Sequence, residues 1–183
     1  MKQGKSLRTT GYWVRIGVFS AVAFVLQLMG KFLPKVGGFL DIEFSDLPAI
    51  ILSFAEGPIA GLLTELIKNL LHLTVTSTGG IGELANFLVN GVFVLTAGII
   101  YLQSKTKTNA AIALAVSTIV LAFAAFYANL YILLPLYMSG VDIGTKLTII
   151  TFTITPFNLA KGAVLSVITM LIYKKISIFI KKQ

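Results

Sequence analysis

Cysteine is absent from this 183-residue chain, histidine occurs once, and charged residues make up only 12% of it. The lack of cysteine excludes structural disulfides and metal sites built on thiolates. A single histidine argues against a zinc site with several histidine ligands. Most enzymes with a metal, or with a nucleophile beside a base, need one of these residue types. The composition therefore disfavours the commonest kinds of catalytic centre.

Hydrophobic residues are abundant instead, at 56% of the chain, and the mean hydropathy is +0.91. A soluble protein of this size could not bury so much apolar surface, because its ratio of surface to volume is too high. The net charge of +8 comes from basic residues at helix ends and termini, where they act as orientation signals and contact lipid headgroups. We therefore expect a protein of the lipid bilayer that does not bind nucleic acid.

Hydropathy and turn residues predict an all-α integral membrane protein with six helices, in one membrane-embedded domain over residues 1–183. The predicted helices 1 to 6 are residues 12–29, 47–55, 58–75, 82–103, 110–137 and 153–179. Helix 2 would be only about 14 Å long, less than half of a bilayer core of about 30 Å. Irregular backbone at membrane depth must be buried in protein or line a cavity. We therefore expect the loop 31–46 to fold into the outer mouth of the bundle.

The basic residues predict that both termini are cytoplasmic and that the loop 31–46 lies outside. The basic start is followed by an apolar run without an A-x-A-like cleavage site, which favours a first transmembrane helix over a signal peptide. The predicted outer side holds Lys31, Lys35 and Lys146. The predicted cytoplasmic side holds Lys2, Lys5, Arg8, Arg15, Lys105, Lys107, Lys174, Lys175, Lys181 and Lys182.

Polar side chains within the predicted helices are concentrated in their outer halves. A channel would need polar groups along its whole depth, so this pattern favours a pocket open to the outside. Amides with few charges suit a small, flat molecule that forms hydrogen bonds. The polar residues are Glu65, Lys68, Asn69, His72, Glu83, Asn86, Asn90, Asn129, Thr155, Asn158 and Lys161, and nearby aromatic residues are Phe39, Phe87, Tyr127 and Tyr131.

Some of these residues have a structural interpretation. Glu65 and Lys68 are three residues apart on helix 3, and we expect a mutually neutralising ion pair. Asn90 would either join two helices or line the pocket. At the end of helix 3, Asn69 and His72 could approach the pocket, but we interpret His72 as a wet interfacial residue rather than a ligand contact. Gly17 and Ala21 place small side chains one turn apart on helix 1, which favours close packing against another helix, within the chain or in a partner.

Several stretches in combination resemble the substrate-binding S components of energy-coupling factor (ECF) vitamin transporters, and in particular their riboflavin-specific members. They are FSDLPA, GPIAG, ELIKNLLHL, GELANF and NLAKG, and the resemblance extends over nearly the whole chain. It implies a six-helix protein of the cell membrane that takes riboflavin from outside and has no enzymatic activity or cofactor. The implied partners are a transmembrane scaffold (T) component and two ABC ATPase subunits.

The resemblance also implies roles for particular residues. Small residues on helix 1, here Gly17 and Ala21, would dock onto the T component, with glycine in place of the family's first alanine. The amides would match the uracil-like edge of riboflavin, which has both donors and acceptors. The implied ligand-binding residues are Phe39, Leu40 and Glu43 in the loop that covers the site, and Glu83, Asn86, Asn129, Asn158 and Lys161 on helices 4, 5 and 6.

Two other functions stay open on the sequence alone. An S component for thiamine, a cation, should offer acids and aromatic faces, and Lys161 in the predicted pocket argues against it. A membrane-embedded enzyme would have to rely on Glu65 and Glu83, which lie on different helices.

Overall fold

The computed structural model of the chain describes residues 9–38 and 40–181, without the side chains of residues 174 and 176–181. Within these ranges the chain is helical, apart from short loops and one antiparallel bridge between Val36 and Leu40. The predictions for Lys2, Lys5, Arg8, Phe39 and Lys182 fall outside the described residues.

Six helices follow one another along the described chain. Helices 1, 2 and 4 are uninterrupted, helix 3 ends in a 3-10 turn, and helices 5 and 6 each contain one π-helical turn. Their bounds are Thr10–Gly30 (helix 1), Leu47–Glu56 (helix 2), Pro58–His72 with the turn Leu73–Val75 (helix 3), Ile81–Gln103 (helix 4), Lys107–Ala128, Asn129–Leu133 and Leu134–Tyr137 (helix 5), and Ile143–Ile149, Ile150–Ile154 and Thr155–Lys181 (helix 6).

The start of helix 6 was predicted wrongly: it begins at Ile143 and not near residue 153. Asp142 caps this end, because its Oδ1 accepts a hydrogen bond from the Thr145 backbone N–H at 3.0 Å. The hydrogen bonds from the Thr145 side chain and backbone hold the pKa of the Asp142 carboxyl below its usual value. The predicted bounds left residues 138–152 between helices 5 and 6, but Asp142 supplies a helix start within them.

Four of the helices are long and apolar enough to cross a membrane. Helix 3 has 15 residues, and helix 2, with 10 residues, spans only about 15 Å. The described fold is therefore that of a multi-pass membrane protein with one stunted helix. The four candidate spans are Thr10–Gly30, Ile81–Gln103, Lys107–Tyr137 and Ile143–Tyr173.

Helix 1 packs against helix 3, helix 3 against helix 4, helix 4 against helix 5, and helix 5 against helix 6. Helix 2 packs against helices 1, 3, 4 and 6. Glycines allow this close approach: a Cβ on Gly98 would lie 2.1 Å from Ser53 Oγ, and one on Gly61 would lie 2.5 Å from Ser53 Cβ. Phe54 of helix 2 is fully buried and stacks on Tyr101 with ring centroids 4.2 Å apart. Helix 2 thus fills the space between the other helices at one end only.

Candidate functional site

A cavity of about 650 Å³ lies among helices 1, 3, 4, 5 and 6, at the end of the bundle that carries the loop 31–46. Helix 2 contributes none of the described lining residues, as expected if the cavity occupies the space that this short helix leaves free. The volume is in the range of small-molecule sites. The residues predicted to bind a ligand that line it are Leu40, Glu43, Glu83, Asn86, Asn129, Asn158 and Lys161.

The loop forms one wall of the cavity. Val36 and Leu40 exchange two backbone hydrogen bonds of 2.9 and 3.0 Å across a tight turn. Gly38 has a φ of 81° in this turn, a conformation that glycine adopts without strain. Leu40 and Glu43 line the cavity, whereas Phe39 is outside the described residues. The loop therefore lies at the mouth of the bundle.

A buried cluster of charges lies beside the cavity. Asp46, fully buried, bridges two lysines: Lys68 Nζ is 2.7 Å from its Oδ1, and Lys161 Nζ is 2.8 Å from its Oδ2. Lys68 Nζ is also 2.6 Å from Glu65 Oε2, so the two residues that we expected to pair are in contact within a larger cluster. The cluster thus contains the carboxylates of Glu43, Asp46 and Glu65 around the ammonium groups of the two lysines. This cluster fixes the start of helix 2 against helices 3 and 6.

Glu43 connects the loop to two of the predicted ligand residues. Its Oε1 accepts a hydrogen bond from Asn86 Nδ2 and lies 3.4 Å from Lys161 Nζ. Asn86 Oδ1 in turn accepts a hydrogen bond of 3.2 Å from Asn69 Nδ2. The loop carboxylate thus holds side chains of helices 4 and 6 in place at the cavity wall.

Asn129 and Asn158 present their amides in the same way on helices 5 and 6. Each Nδ2 donates to the carbonyl four residues earlier, Ala125 O at 2.8 Å and Ile154 O at 2.9 Å. Among the described residues, neither amide oxygen accepts a hydrogen bond from another side chain. Each amide therefore keeps an acceptor and a second N–H for a ligand.

A π-helical turn lies next to each of these two amides. One turn begins at Asn129, and the other ends at Ile154, one turn before Asn158. A π-helical turn is wider than an α-helical one, so the residues after it lie on a different face of the helix than a regular α-helix would give them. Such turns are frequent at functional sites. No residue pattern predicted these two turns.

Glu83 and His72 form a pair at the cavity wall, with 2.7 Å between Glu83 Oε1 and His72 Nδ1. Glu83 Oε2 accepts hydrogen bonds from Thr76 at 2.9 Å and Thr78 at 3.1 Å. The interpretation of His72 as a wet interfacial residue is wrong, because its surface is only 8% exposed and it lines the cavity. Thr76 and Thr78, which follow the 3-10 turn, thus hold Glu83 at the cavity wall.

The aromatic residues suggested for the lining are placed differently. Tyr127 and Tyr131 are exposed on helix 5 and stack on each other with ring centroids 6.3 Å apart. Phe87 borders a smaller pocket of about 170 Å³ between helices 3 and 4. The described aromatic lining consists of Tyr137 and Phe157. Small errors in helical phase explain the difference, since a shift of one residue turns a side chain by about 100°.

Sequence reasoning passed over Gln27 on helix 1 and left Asn90 on helix 4 between helix packing and the pocket. Both are buried, at 7% and 2% exposure, and both line the cavity. Gln27 is an amide within an apolar run, which is the signal that a buried polar residue in a membrane helix provides. Asn90 lies one turn after Asn86 on the same face of helix 4.

Gly17 and Ala21 lie on an exposed face of helix 1. A Cβ added to Gly17 would meet no heavy atom within 4 Å, so packing within the chain, one of the two expectations for this pair, is wrong. Val14, Val18 and Val25 on the same helix are about half exposed. The described structure leaves this face to lipid or to a partner.

Comparisons with known proteins match the chain over most of its length. Residues 12–173 match the sequence model of the family "ECF transporter, substrate-specific component". Riboflavin transporter RibU of Staphylococcus aureus (strain TCH60) is 35% identical over 186 aligned residues, covering 100% of this chain and 95% of the relative. Riboflavin transporter FmnP of Bacillus subtilis (strain 168) is 31% identical, covering 93% and 94%.

A solved structure of the S component of a bacterial ECF transporter has a similar fold. It superimposes with a TM-score of 0.80 at 34% sequence identity, covering 93% of this chain and 98% of that chain. The six-helix arrangement predicted from the sequence is therefore confirmed by a protein of related sequence.

Proposed function

The chain belongs to the family of substrate-specific components of ECF transporters, and on that premise we propose that it captures riboflavin for an ECF-type importer. The relatives that are similar over its whole length are named riboflavin transporters. Its part in transport is binding, and not catalysis. The observation that carries the proposal is the cavity under the loop 31–46, with its two partly free amides.

The amides suit one edge of riboflavin. The uracil-like edge of the ring system has one N–H donor between two carbonyl acceptors, and an amide offers the complementary pair. Asn129 and Asn158 each keep an oxygen acceptor and an N–H donor at the cavity. Leu134, Ile154 and Phe157 line the same side and provide an apolar surface for the flat ring.

Lys161 can still donate to a ligand although it is paired. An ammonium group has three donors, and two of them point to Asp46 and Glu43. We assign the third to a ring or ribityl oxygen. Leu40 and Glu43 close the cavity from the loop side, and Glu83 and Asn86 complete the wall of helix 4.

Thiamine is a poorer candidate because the described carboxylates of the cavity are engaged. Glu43 is bonded to Asn86 and Lys161, and Glu83 is bonded to His72. Asp41 pairs with Lys35 at 2.9 Å. A cationic ligand would have to break one of these contacts.

The complete transporter would place this chain beside a T component and two ABC ATPases in the plasma membrane. We propose that both termini are cytoplasmic and that the cavity faces outside, since the basic residues favour this orientation. The exposed face with Gly17 and Ala21 is the surface that we assign to the T component.

Titration of the ligand-free, detergent-purified protein with riboflavin tests the proposal. We expect saturable quenching of flavin fluorescence at one flavin per chain. Asn158→Ala and Lys161→Ala should each weaken binding by about 1–3 kcal/mol, the cost of a lost polar partner. Gln103→Ala, at the exposed end of helix 4, serves as the control and should bind like the wild type.

Absence of quenching by the folded wild-type protein would refute the choice of ligand. Unchanged affinity in both Asn158→Ala and Lys161→Ala, with quenching intact, would instead remove helix 6 from the site and leave the ligand in place.

A further inference from the structure

The buried charge cluster beside the cavity contains more acids than lysines. Lys68 Nζ contacts Asp46 and Glu65. Lys161 Nζ contacts Asp46 and Glu43. Within the part of the chain that the structure describes, no ion pair joins these three acids to a third cation. If all five groups were ionised, the cluster would therefore carry one negative charge in excess.

An excess charge in this cluster would lie away from water. The side chains of Asp46, Glu65 and Lys68 are 0% exposed. Those of Glu43 and Lys161, at the cavity wall, are 4% and 10% exposed. A buried charge without a partner is so unfavourable that the group takes up or releases a proton and becomes neutral. We therefore expect one of the three acids to be protonated.

Two of the acids have surroundings that suit a negative charge. Asp46 Oδ1 accepts a hydrogen bond of 2.7 Å from Lys68 Nζ, and its Oδ2 lies 2.8 Å from Lys161 Nζ. Glu43 Oε1 accepts hydrogen bonds from Asn86 Nδ2 and Lys161 Nζ. Donors and opposite charges at these distances stabilise the ionised form of a carboxyl group.

Glu65 has the poorest surroundings for a negative charge. Its Oε2 lies 2.6 Å from Lys68 Nζ, but this lysine is also bound to Asp46. Neither carboxyl oxygen of Glu65 accepts a hydrogen bond within the described protein. A carboxylate needs donors at both oxygens, whereas a protonated carboxyl group carries its own O–H and no charge. The contacts therefore place the extra proton of the cluster on Glu65.

We propose that Glu65 binds one proton, which offsets the negative charge that Glu43 of the loop 31–46 brings to the cluster. The cluster then has no net charge, as the interior of a membrane protein favours. The proton on helix 3 thus depends on the loop through charge balance. Without the charge of Glu43, two acids face two lysines, and Glu65 should release its proton. The proposal goes beyond riboflavin capture and does not depend on the identity of the ligand.

Infrared spectroscopy of the ligand-free protein in detergent at neutral pH tests the proposal, because a protonated carboxyl group has a C=O stretching band that an ionised carboxylate lacks. We expect the wild-type protein to show the band of a single carboxyl group and Glu65→Gln to lack it. Glu43→Gln should also lack it, since the remaining charges balance. Asp41→Asn, which changes an exposed ion pair, is the control and should keep the band.

Thermal unfolding gives a second readout. Glu65→Gln replaces one neutral group by another of nearly the same size, so we expect its Tm to stay within about 2 °C of the wild type. Asp46→Asn removes a charge that two lysines contact and should lower the Tm clearly more. If Glu65 were instead an ionised partner of Lys68, both substitutions would destabilise the protein.

Absence of the C=O band from the wild-type protein would overturn the proposal, whether or not the variants fold. A band that Glu65→Gln or Glu43→Gln retains in full would overturn it as well, as would a Glu65→Gln protein that unfolds at as low a temperature as Asp46→Asn. Each of these results concerns the charge cluster alone and leaves the proposed function standing.

Discussion

Replacement of Asp46 by asparagine is the sharpest test of the buried charge cluster, because the change removes a charge and almost no volume. Asp46 is fully buried and, among the described residues, is the one that forms an ion pair with both Lys68, at 2.7 Å, and Lys161, at 2.8 Å. Removal of one partner from a buried ion pair costs about 3–5 kcal/mol. Each lysine keeps a second carboxylate, Glu65 or Glu43, so we expect a loss at the lower end, about 3 kcal/mol.

Asp41→Asn is the matched control for this experiment. Asp41 pairs with Lys35 at 2.9 Å, a distance close to that of the buried pair, but the two side chains are 39% and 42% exposed. Exposed pairs contribute at most about 1 kcal/mol. The two substitutions are chemically identical and differ in burial.

Thermal unfolding of the ligand-free protein in detergent measures both effects. For a chain of this length about 3 kcal/mol corresponds to a fall in Tm of about 6–12 °C, and the control should fall by less than about 4 °C. If Asp46→Asn lowers Tm no more than Asp41→Asn does, the cluster does not hold helix 2 in place and the reasoning fails.

Two further predictions concern glycines. Gly98→Ala should lower the free energy of unfolding by about 1–3 kcal/mol, because the new Cβ would overlap Ser53 and Pro58. Gly140→Ala, where nothing lies within 4 Å of the added Cβ, is its control in thermal unfolding. Equal stability of the two variants would contradict the close contact of helices 2 and 4. Gly17→Trp should spare riboflavin binding and abolish uptake by cells that contain the T component and the ATPases. Ile119→Trp, on the exposed face of helix 5, should transport normally, and normal transport by Gly17→Trp would remove helix 1 from the docking surface.

The helices could be predicted from the sequence because lipid demands long apolar runs, and glycine, proline and polar residues separate those runs here. The missing length of helix 2 also led to the correct position for the loop 31–46. The start of helix 6 was missed because a single side chain, Asp142, determines it.

The site was predictable in its residue types and less so in its geometry. Polar groups in the predicted outer halves of helices 4, 5 and 6 lead to Asn86, Asn129 and Asn158, which line the cavity. Whether a polar residue is paired depends on contacts distant in sequence. Lys161 and Glu43 are 118 residues apart and form an ion pair, and periodicity within one helix cannot reveal such a contact. Tyr131 was placed wrongly for a different reason, since it lies within the π-helical turn Asn129–Leu133, which changes the helical phase.

The central claim is that the cavity under the loop 31–46 holds riboflavin, and the visible spectrum of protein purified from riboflavin-fed cells tests it most directly. We predict that wild-type protein retains a flavin absorption band at close to one flavin per chain. Asn158→Ala protein, purified in parallel, should retain clearly less. Colourless wild-type protein, or an Asn158→Ala variant that retains as much flavin as the wild type, would contradict the account.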